Sequence, residues 1–232
     1  MNAIVRCLFP PLCFHCEERA YQDRLLCQLC LEKLILLSQE GRCPRCFRSF
    51  EEENICQFCH EESSPFYRLA ACFDQESPIR SLLQAFKERY SFFLEKPLAS
   101  FFVLQWQTFD WPLPDLITFV PQTPIKKLLR GYNQSERLAT MLGRLFDRRV
   151  VSLLKRREGG LSQTLLNTAQ RRELSKETFA WKKRENLQNK IVLLIDDHME
   201  TRTTLYRCGE LLQEALPEQL FGLTLSCSDK WY

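Results

Sequence analysis

The 232-residue chain reads as an α/β domain with a mainly parallel sheet, preceded by a small metal-stapled module. Three observations carry that reading. Eight of the twelve cysteines fall into four Cys-x-x-Cys pairs within residues 13–59. Beyond residue 65, strand-like and helix-like stretches alternate, as in βαβ units. One of those stretches, Ile191-Val192-Leu193-Leu194-Ile195, is an unbroken apolar run ending in Asp196 and Asp197. A central strand covered on both faces has that composition. Apolar residues at 45% and charged residues at 26% exclude wholesale disorder.

The cysteine pairs are Cys13/Cys16, Cys27/Cys30, Cys43/Cys46 and Cys56/Cys59. Each knuckle presents two thiolates across a tight turn, and zinc takes four ligands in a tetrahedron, so the eight thiolates predict two closed structural zinc sites. Tandem pairing puts the first two knuckles on one ion and the last two on the other; cross-bracing is the alternative. His15 and His60, inside or beside knuckles, are the substitute ligands. An all-cysteine shell leaves no open position and so points away from catalytic zinc. A segment this small has little core, so metal binding would supply folding energy. The short, proline-broken start at residues 4–11 is no signal-peptide core, which favours a reducing cytoplasm over a disulfide framework. Cys72, Cys208 and Cys227 lack partners at ligand spacing and read as buried small hydrophobes. No apolar run approaches the ~18 residues of a membrane span.

The acidic stretch before Pro65 sets the expected boundary, with residues 1–65 as the cysteine module and 66–232 as the α/β domain. Residues 68–73 read as a strand. Ser77-Pro78 reads as an N-cap and first helical proline, followed by Ile79, Leu82, Leu83 and Phe86 at helical spacing. A second helix is expected over 94–106 and a buried strand over 115–121. A loop with Arg130-Gly131-Tyr132 follows, and then Asn133 and Glu136 in capping-box spacing open a helix through Leu138, Leu142 and Leu145. Residues 150–154 read as a strand, 163–174 as a polar connection, 190–197 as the central strand, 203–214 as a helix and 220–225 as the last strand.

Two carboxylates at the carboxyl end of a central parallel strand lie where open α/β sheets bind ligands. Asp196 and Asp197 can accept hydrogen bonds from a ribose diol, and the hydroxyl-bearing loop before the next helix can meet a phosphate at the helix N-terminus. A pair of solvated acids is the plainer alternative.

This stretch resembles the phosphoribosyl-diphosphate motif of type I phosphoribosyltransferases. The whole chain resembles the ComF family, in which a double zinc ribbon precedes a type I phosphoribosyltransferase-like domain. The match rests on the four knuckles, on Val120-Pro121 followed by Arg130-Gly131-Tyr132-Asn133-Gln134, on residues 163–179, and on the Asp196-Asp197 strand. It implies that Asp196 and Asp197 hold the ribose hydroxyls of phosphoribosyl diphosphate. It places Thr201, Arg202, Thr203 and Thr204 around the 5′-phosphate and Arg130 and Gly131 near the pyrophosphate. Gln163, Arg171 and Arg172 would belong to a flexible loop, and Mg²⁺ would accompany the bound diphosphate. Partners implied are single-stranded DNA and DNA-uptake proteins.

The departures bear on activity. Glu200 stands where the family usually has threonine and Arg202 where it has glycine; Leu165 and Leu174 stand for its glycine and asparagine. Glycine admits positive φ and close approach of backbone to phosphate. A carboxylate about 4 Å from a phosphate costs on the order of 4 kcal/mol per charge pair at an effective dielectric of 20, which Arg202 would offset by contacting the phosphate. Binding without turnover and an active transferase with an unknown acceptor therefore both follow from the resemblance.

The net charge of +3 hides an asymmetry. Residues 126–190 hold 17 Lys plus Arg against 6 Asp plus Glu, a net of +11, and the rest of the chain carries −8. Such blocks suit a phosphate backbone, with Tyr132 and Trp181 as stacking candidates, or else form a solvated basic face. Residues 1–66 carry −3, and two zinc ions on eight thiolates make the ribbon module about −7.

Overall fold

The computed structural model describes residues 11–20, 25–49, 56–61, 63–88, 91–157 and 178–228. The flexible-loop candidates Gln163, Arg171 and Arg172 lie outside the described residues.

Two similar units make up the cysteine module. In each, the first knuckle sits in a tight turn. Cys13 donates its amide to Glu18 O at 2.8 Å and Cys43 donates to Arg48 O at 2.7 Å, while Glu17 and Phe47 take the left-handed φ values of 62° and 60° that reverse the chain. The second knuckle of each unit opens a short helix, α1 (Gln28–Glu32) after Cys27 and α2 (Gln57–Glu61) after Cys56.

Beyond the module run β1 (Arg68–Asp74), α3 (Ile79–Glu88), a 3-10 turn (Phe92–Leu94), α4 (Glu95–Thr108), β2 (Leu116–Phe119), α5 (Pro124–Arg130) and α6 (Gln134–Phe146). Then come β3 (Arg149–Val150), β4 (Leu154–Arg156), β5 (Phe179–Trp181), β6 (Ile191–Met199), α7 (Thr203–Gln213) and β7 (Gln219–Cys227). The main sheet has the order β1-β7-β6-β2-β3 and every pairing is parallel. The apolar run is the central strand β6, whose residues from Val192 to Ile195 are fully buried between β2 and β7.

Helices cover both faces. Phe221 meets the Trp106 ring of α4 at 5.4 Å. The next residue, Gly222, points the opposite way, as strand neighbours do. A Cβ there would come within 3.0 Å of the Phe66 ring, and one on Gly209 of α7 would meet the same ring at 3.0 Å. Phe66 thus fills a space that two glycines leave open between α7 and β7. The edge of β1 is closed by the cysteine module: Leu37 donates its amide to Cys72 O at 2.9 Å, and Leu69 donates to Pro44 O at 3.1 Å. An open edge strand invites association, and this one is covered.

Three expectations need correction. The strand expected over 150–154 divides. Val151 makes the last bond to β2, at Ile117 O; Leu153 O then accepts the amides of Lys182 and Lys183, and β4 pairs antiparallel with β5 outside the main sheet. The stretch before Arg130, expected as loop, is helix α5; its Ile125, Leu128 and Leu129 have helical spacing yet remain 62–85% exposed. Helix α3 starts at Ile79 rather than at Pro78, and the Ser77 hydroxyl donates back to Asp74 O at 2.8 Å. Cys72, Cys208 and Cys227 are fully buried among apolar neighbours, as expected. No helix among the described residues is long and apolar enough to cross a membrane.

Candidate functional site

The eight knuckle cysteines gather as two clusters, Cys13, Cys16, Cys27 and Cys30, and Cys43, Cys46, Cys56 and Cys59, with all four sulfurs of each within 4.8 Å of one another. The pairing is therefore tandem. Zinc–sulfur bonds of about 2.3 Å imply sulfur–sulfur edges of roughly 3.8 Å in a tetrahedron. The observed Cys16–Cys27, Cys43–Cys59 and Cys46–Cys56 separations are 3.6, 3.7 and 3.5 Å, so the donor sets fit structural zinc. Both clusters are cysteine alone among the described residues. Burial opposes ionisation of Cys13, but the amides of Cys16, Cys27 and His15 outweigh it and lower its pKa to about 6, suiting a thiolate ligand. His15 is not a ligand: its Nδ1 pairs with Ser81 Oγ at 3.0 Å.

The second site lies at the carboxyl end of β6. Four consecutive buried residues at the start of α6 assemble it. Tyr132 donates its hydroxyl to Phe86 O on α3. Asn133 caps α6 by accepting the Ser135 amide at 3.1 Å and donates to Val120 O at 3.0 Å, tying the helix to the end of β2. Gln134 pairs with Gln122. Ser135 donates its hydroxyl to Asp196 Oδ1 at 2.7 Å, and the same oxygen accepts the Asp197 amide at 2.9 Å.

The two acids ionise differently. Burial, then the Asp197 charge, pushes the Asp196 carboxyl well above the usual carboxylate range. Burial also opposes ionisation of Asp197, but Lys87 of α3 forms an ion pair with it and holds its pKa below the ordinary value. His198 donates to or accepts from Ser226 Oγ at 2.8 Å, and burial lowers its pKa, leaving a neutral imidazole at neutral pH. The strand end therefore offers two carboxyls shifted in opposite directions, with the lower one paired to an ammonium.

In the following loop Glu200, Thr201 and Thr203 are exposed and Thr204 is half-buried. Arg202 is 4% exposed and turned into the cysteine module, where Nε donates to Cys46 O at 2.6 Å and Nη2 donates to Phe47 O at 3.2 Å. Arg130 is half-buried at the end of α5, and Gly131 turns the chain at φ 73° into Tyr132. Among the described residues, the bonds that gather the site run through Tyr132, Asn133, Gln134 and Ser135.

Sequence reasoning passed over Lys87 and Ser135. Nothing near Lys87 marks it, since it meets Asp197 only through the fold. Ser135 carried a signal, a hydroxyl two residues past an N-cap in an otherwise buried turn. Glu136, expected to complete the capping box, instead pairs with Lys127 at 3.3 Å.

Residues 4–60 match the double zinc ribbon domain family. Over 220 residues the chain is 26% identical to the Haemophilus influenzae protein named Competence protein F, covering 91% of this chain and 95% of that one. Among solved structures it is similar to a purine phosphoribosyltransferase from Pyrococcus horikoshii Ot3, with 13% identity, 58% of this chain and 82% of that chain covered, and a TM-score of 0.38. A hypoxanthine phosphoribosyltransferase from Staphylococcus aureus gives 20% identity, coverage of 60% and 67%, and a TM-score of 0.37. The chain joins a double zinc ribbon to an α/β part with a mainly parallel sheet. In sequence the chain is thus similar to Competence protein F along nearly its whole length, with a double zinc ribbon match at its start.

Proposed function

We propose that this chain binds phosphoribosyl diphosphate with Mg²⁺ at the end of β6, holds it without efficient turnover, and acts in handling single-stranded DNA during uptake. The observation that carries the first part is the acid pair near the carboxyl end of the central strand, Asp196 raised and Asp197 lowered in pKa, ahead of the loop that leads into α7. Asp196 and Asp197 can each hydrogen-bond one of the two ribose hydroxyls. Thr201, Thr203 and Thr204 remain beside the phosphate position, with Arg130 and Gly131 on the pyrophosphate side. Arg202 faces the ribbon, so its charge does not offset Glu200 at the phosphate, which favours weak ground-state binding over efficient transfer.

The β4–β5 ladder supports the second part. It sets Lys155 opposite Ala180 and Arg156 opposite Phe179, gathering the exposed Arg149, Lys155, Arg157, Lys182, Lys183 and Arg184 on neighbouring segments. Arg149 and Lys183 share Glu185, so part of this charge is already paired. With about three phosphates neutralised, the logarithm of single-strand affinity should fall with log salt at a slope of about −2. Trp181 is half-buried with its indole N–H on Glu214 at 3.1 Å, and Tyr132 is buried, so neither is a free stacking platform.

Calorimetric titration of phosphoribosyl diphosphate with Mg²⁺ tests the reading. Micromolar to low-millimolar binding that Asp197→Asn removes is expected. No binding at 5-fold higher protein concentration, alongside salt-insensitive DNA binding, would overturn both parts. The ionised Asp197 also favours an active transferase with an unknown acceptor. Pyrophosphate release on incubation with candidate bases separates the two.

A further inference from the structure

The start of α7 is fastened to the second cysteine cluster by contacts that the proposed ligand site does not need. Arg202 is the residue before the helix, and its guanidinium bonds the main-chain oxygens of Cys46, a cluster ligand, and Phe47, the residue that reverses the knuckle. One turn on, the Tyr206 ring packs edge-on against Phe58 at 5.8 Å and Phe66 at 6.0 Å. Phe58 lies inside the fourth knuckle, between Cys56 and Cys59, and the Arg48 guanidinium covers its ring at 3.7 Å. Gln213 at the other end of α7 donates to Pro65 O at 2.6 Å.

Charge explains why a buried arginine is tolerated here. Four thiolates around one zinc ion carry −2, and a cation bonded beside them is favoured by that field. Without the ion the knuckle has no template, and the two carbonyls that Arg202 grips lose their fixed separation. The same residue that anchors to Cys46 sits between Thr201 and Thr203, so any shift of its backbone moves both hydroxyls.

We infer that Arg202 is a positioning residue that couples metal occupancy of the Cys43/Cys46/Cys56/Cys59 cluster to the shape of the β6–α7 loop, so that the loop is ordered for a phosphate only when that cluster is loaded. The consequence for ligand binding rests on the function proposed above; the coupling between cluster and loop does not. Linkage makes it reciprocal: whatever occupies the loop slows metal loss from this cluster by the factor by which the metal tightens the ligand.

The test uses the full-length, zinc-loaded protein and two readouts. In Arg202→Gly, transfer of zinc to a chromophoric chelator should show one of its two phases accelerated by about tenfold or more, for two lost charge-assisted hydrogen bonds, with the other phase unchanged. Hydrogen exchange of the amides over 199–206 should rise in the same variant and in Cys56→Ser/Cys59→Ser, but not in Cys27→Ser/Cys30→Ser, which empties the other cluster. Arg202→Lys, which keeps the charge and one donor direction, should fall between. If Cys56→Ser/Cys59→Ser unfolds globally, Arg202→Gly in the loaded protein decides alone. Unchanged zinc release and unchanged exchange over 199–206 in Arg202→Gly would overturn the inference. Failure of wild-type protein to bind phosphoribosyl diphosphate would remove the proposed ligand while leaving both readouts decisive. Equal affinity for that ligand in wild type and Arg202→Gly would overturn the consequence for ligand binding.

Discussion

Replacing Lys87 by methionine isolates the electrostatics of the acid pair. Lys87 closes the last turn of α3, and its ammonium pairs with Asp197 where the two side chains are 29% and 15% exposed. Breaking a fully buried pair costs about 3–5 kcal/mol, because a buried charge is left uncompensated, whereas a surface pair is worth about 0–1. A pair this sheltered lies between, so Lys87→Met should lose about 2 kcal/mol, or about 4–8 °C in midpoint for a chain of this length. The sign with pH follows from the shifts. In wild type the Asp197 pKa is depressed, so the pair stabilises above the unfolded carboxyl value of about 3.9 and its contribution fades as pH falls through the folded value. In the variant, burial acts on Asp197 without an opposing ammonium and raises its pKa. The deficit should then be largest near pH 8 and shrink as pH falls toward that raised value. Urea unfolding followed by tryptophan fluorescence, with zinc buffered from pH 6.5 to 8.5, measures it. Lys87→Met/Asp197→Asn, which removes the buried charge altogether, should recover most of the loss. The reasoning is refuted if the single variant matches wild type within about 0.5 kcal/mol at pH 8, the range of ordinary surface substitutions, or if the double variant is no more stable than the single.

Asp196→Asn should behave in the opposite way. Its folded pKa is raised, so the stabilisation linked to its proton is complete below about pH 3.9 and is lost as pH rises through the folded value; a neutral amide escapes that loss. The variant should gain on wild type as pH increases from 6 to 8.5, measured by the same unfolding assay, while weakening any phosphoribosyl diphosphate binding. Gly143→Ala should destabilise by about 1–3 kcal/mol, since its Cβ would fall 2.4 Å from Val150 Cγ2 and 2.8 Å from the main-chain Arg148 O, which cannot swing aside. Protein purified without chelator should contain two zinc ions per chain by elemental analysis, and Cys56→Ser/Cys59→Ser should contain one.

What the sequence revealed, and what it hid, divides by the range of the interactions involved. Cysteine spacing is local, so both clusters were legible down to each ligand, with only their pairing left open. The run from Ile191 to Ile195 was legible as the central strand because burial on both faces removes every polar residue from it. Asn133 was legible as a cap because capping is settled within three residues. Lys87 was not, because its partner is 110 positions away and its surroundings look like any exposed last turn of a helix. Arg202 was read toward phosphate on loop position alone; only the docked ribbon shows that its nearest oxygens are those of Cys46 and Phe47. The α5 helix was missed for a different reason: its apolar side is not buried against the domain, so periodicity and exposure disagree there.

The two ribbons brace different sides of the same site. The first meets α3 and the turn after it, through His15 with Ser81 and Phe14 with Phe93 at 6.1 Å, and α3 is the helix that carries Lys87. The second meets α7 through Arg202 and Tyr206. Between them, Leu37 and Pro44 close the edge of β1, and Gln105 of α4 donates both to Leu37 O at 2.7 Å and to Ala71 O at 3.1 Å. Buried residues of both parts, from Cys13 and Phe47 to Phe66 and Leu69, form one continuous cluster. A cut at residue 65 would therefore separate two architectures without separating two stabilities. Expressed alone, residues 66–232 would bare the β1 edge, leave Gln105 without its Leu37 partner and expose the apolar faces of α3 and α7. We expect that fragment to self-associate and to bind a hydrophobic dye under conditions in which the whole chain is monomeric. A monomeric fragment with cooperative unfolding and the tryptophan emission of the intact protein would show instead that the ribbons rest on the α/β domain without supporting it.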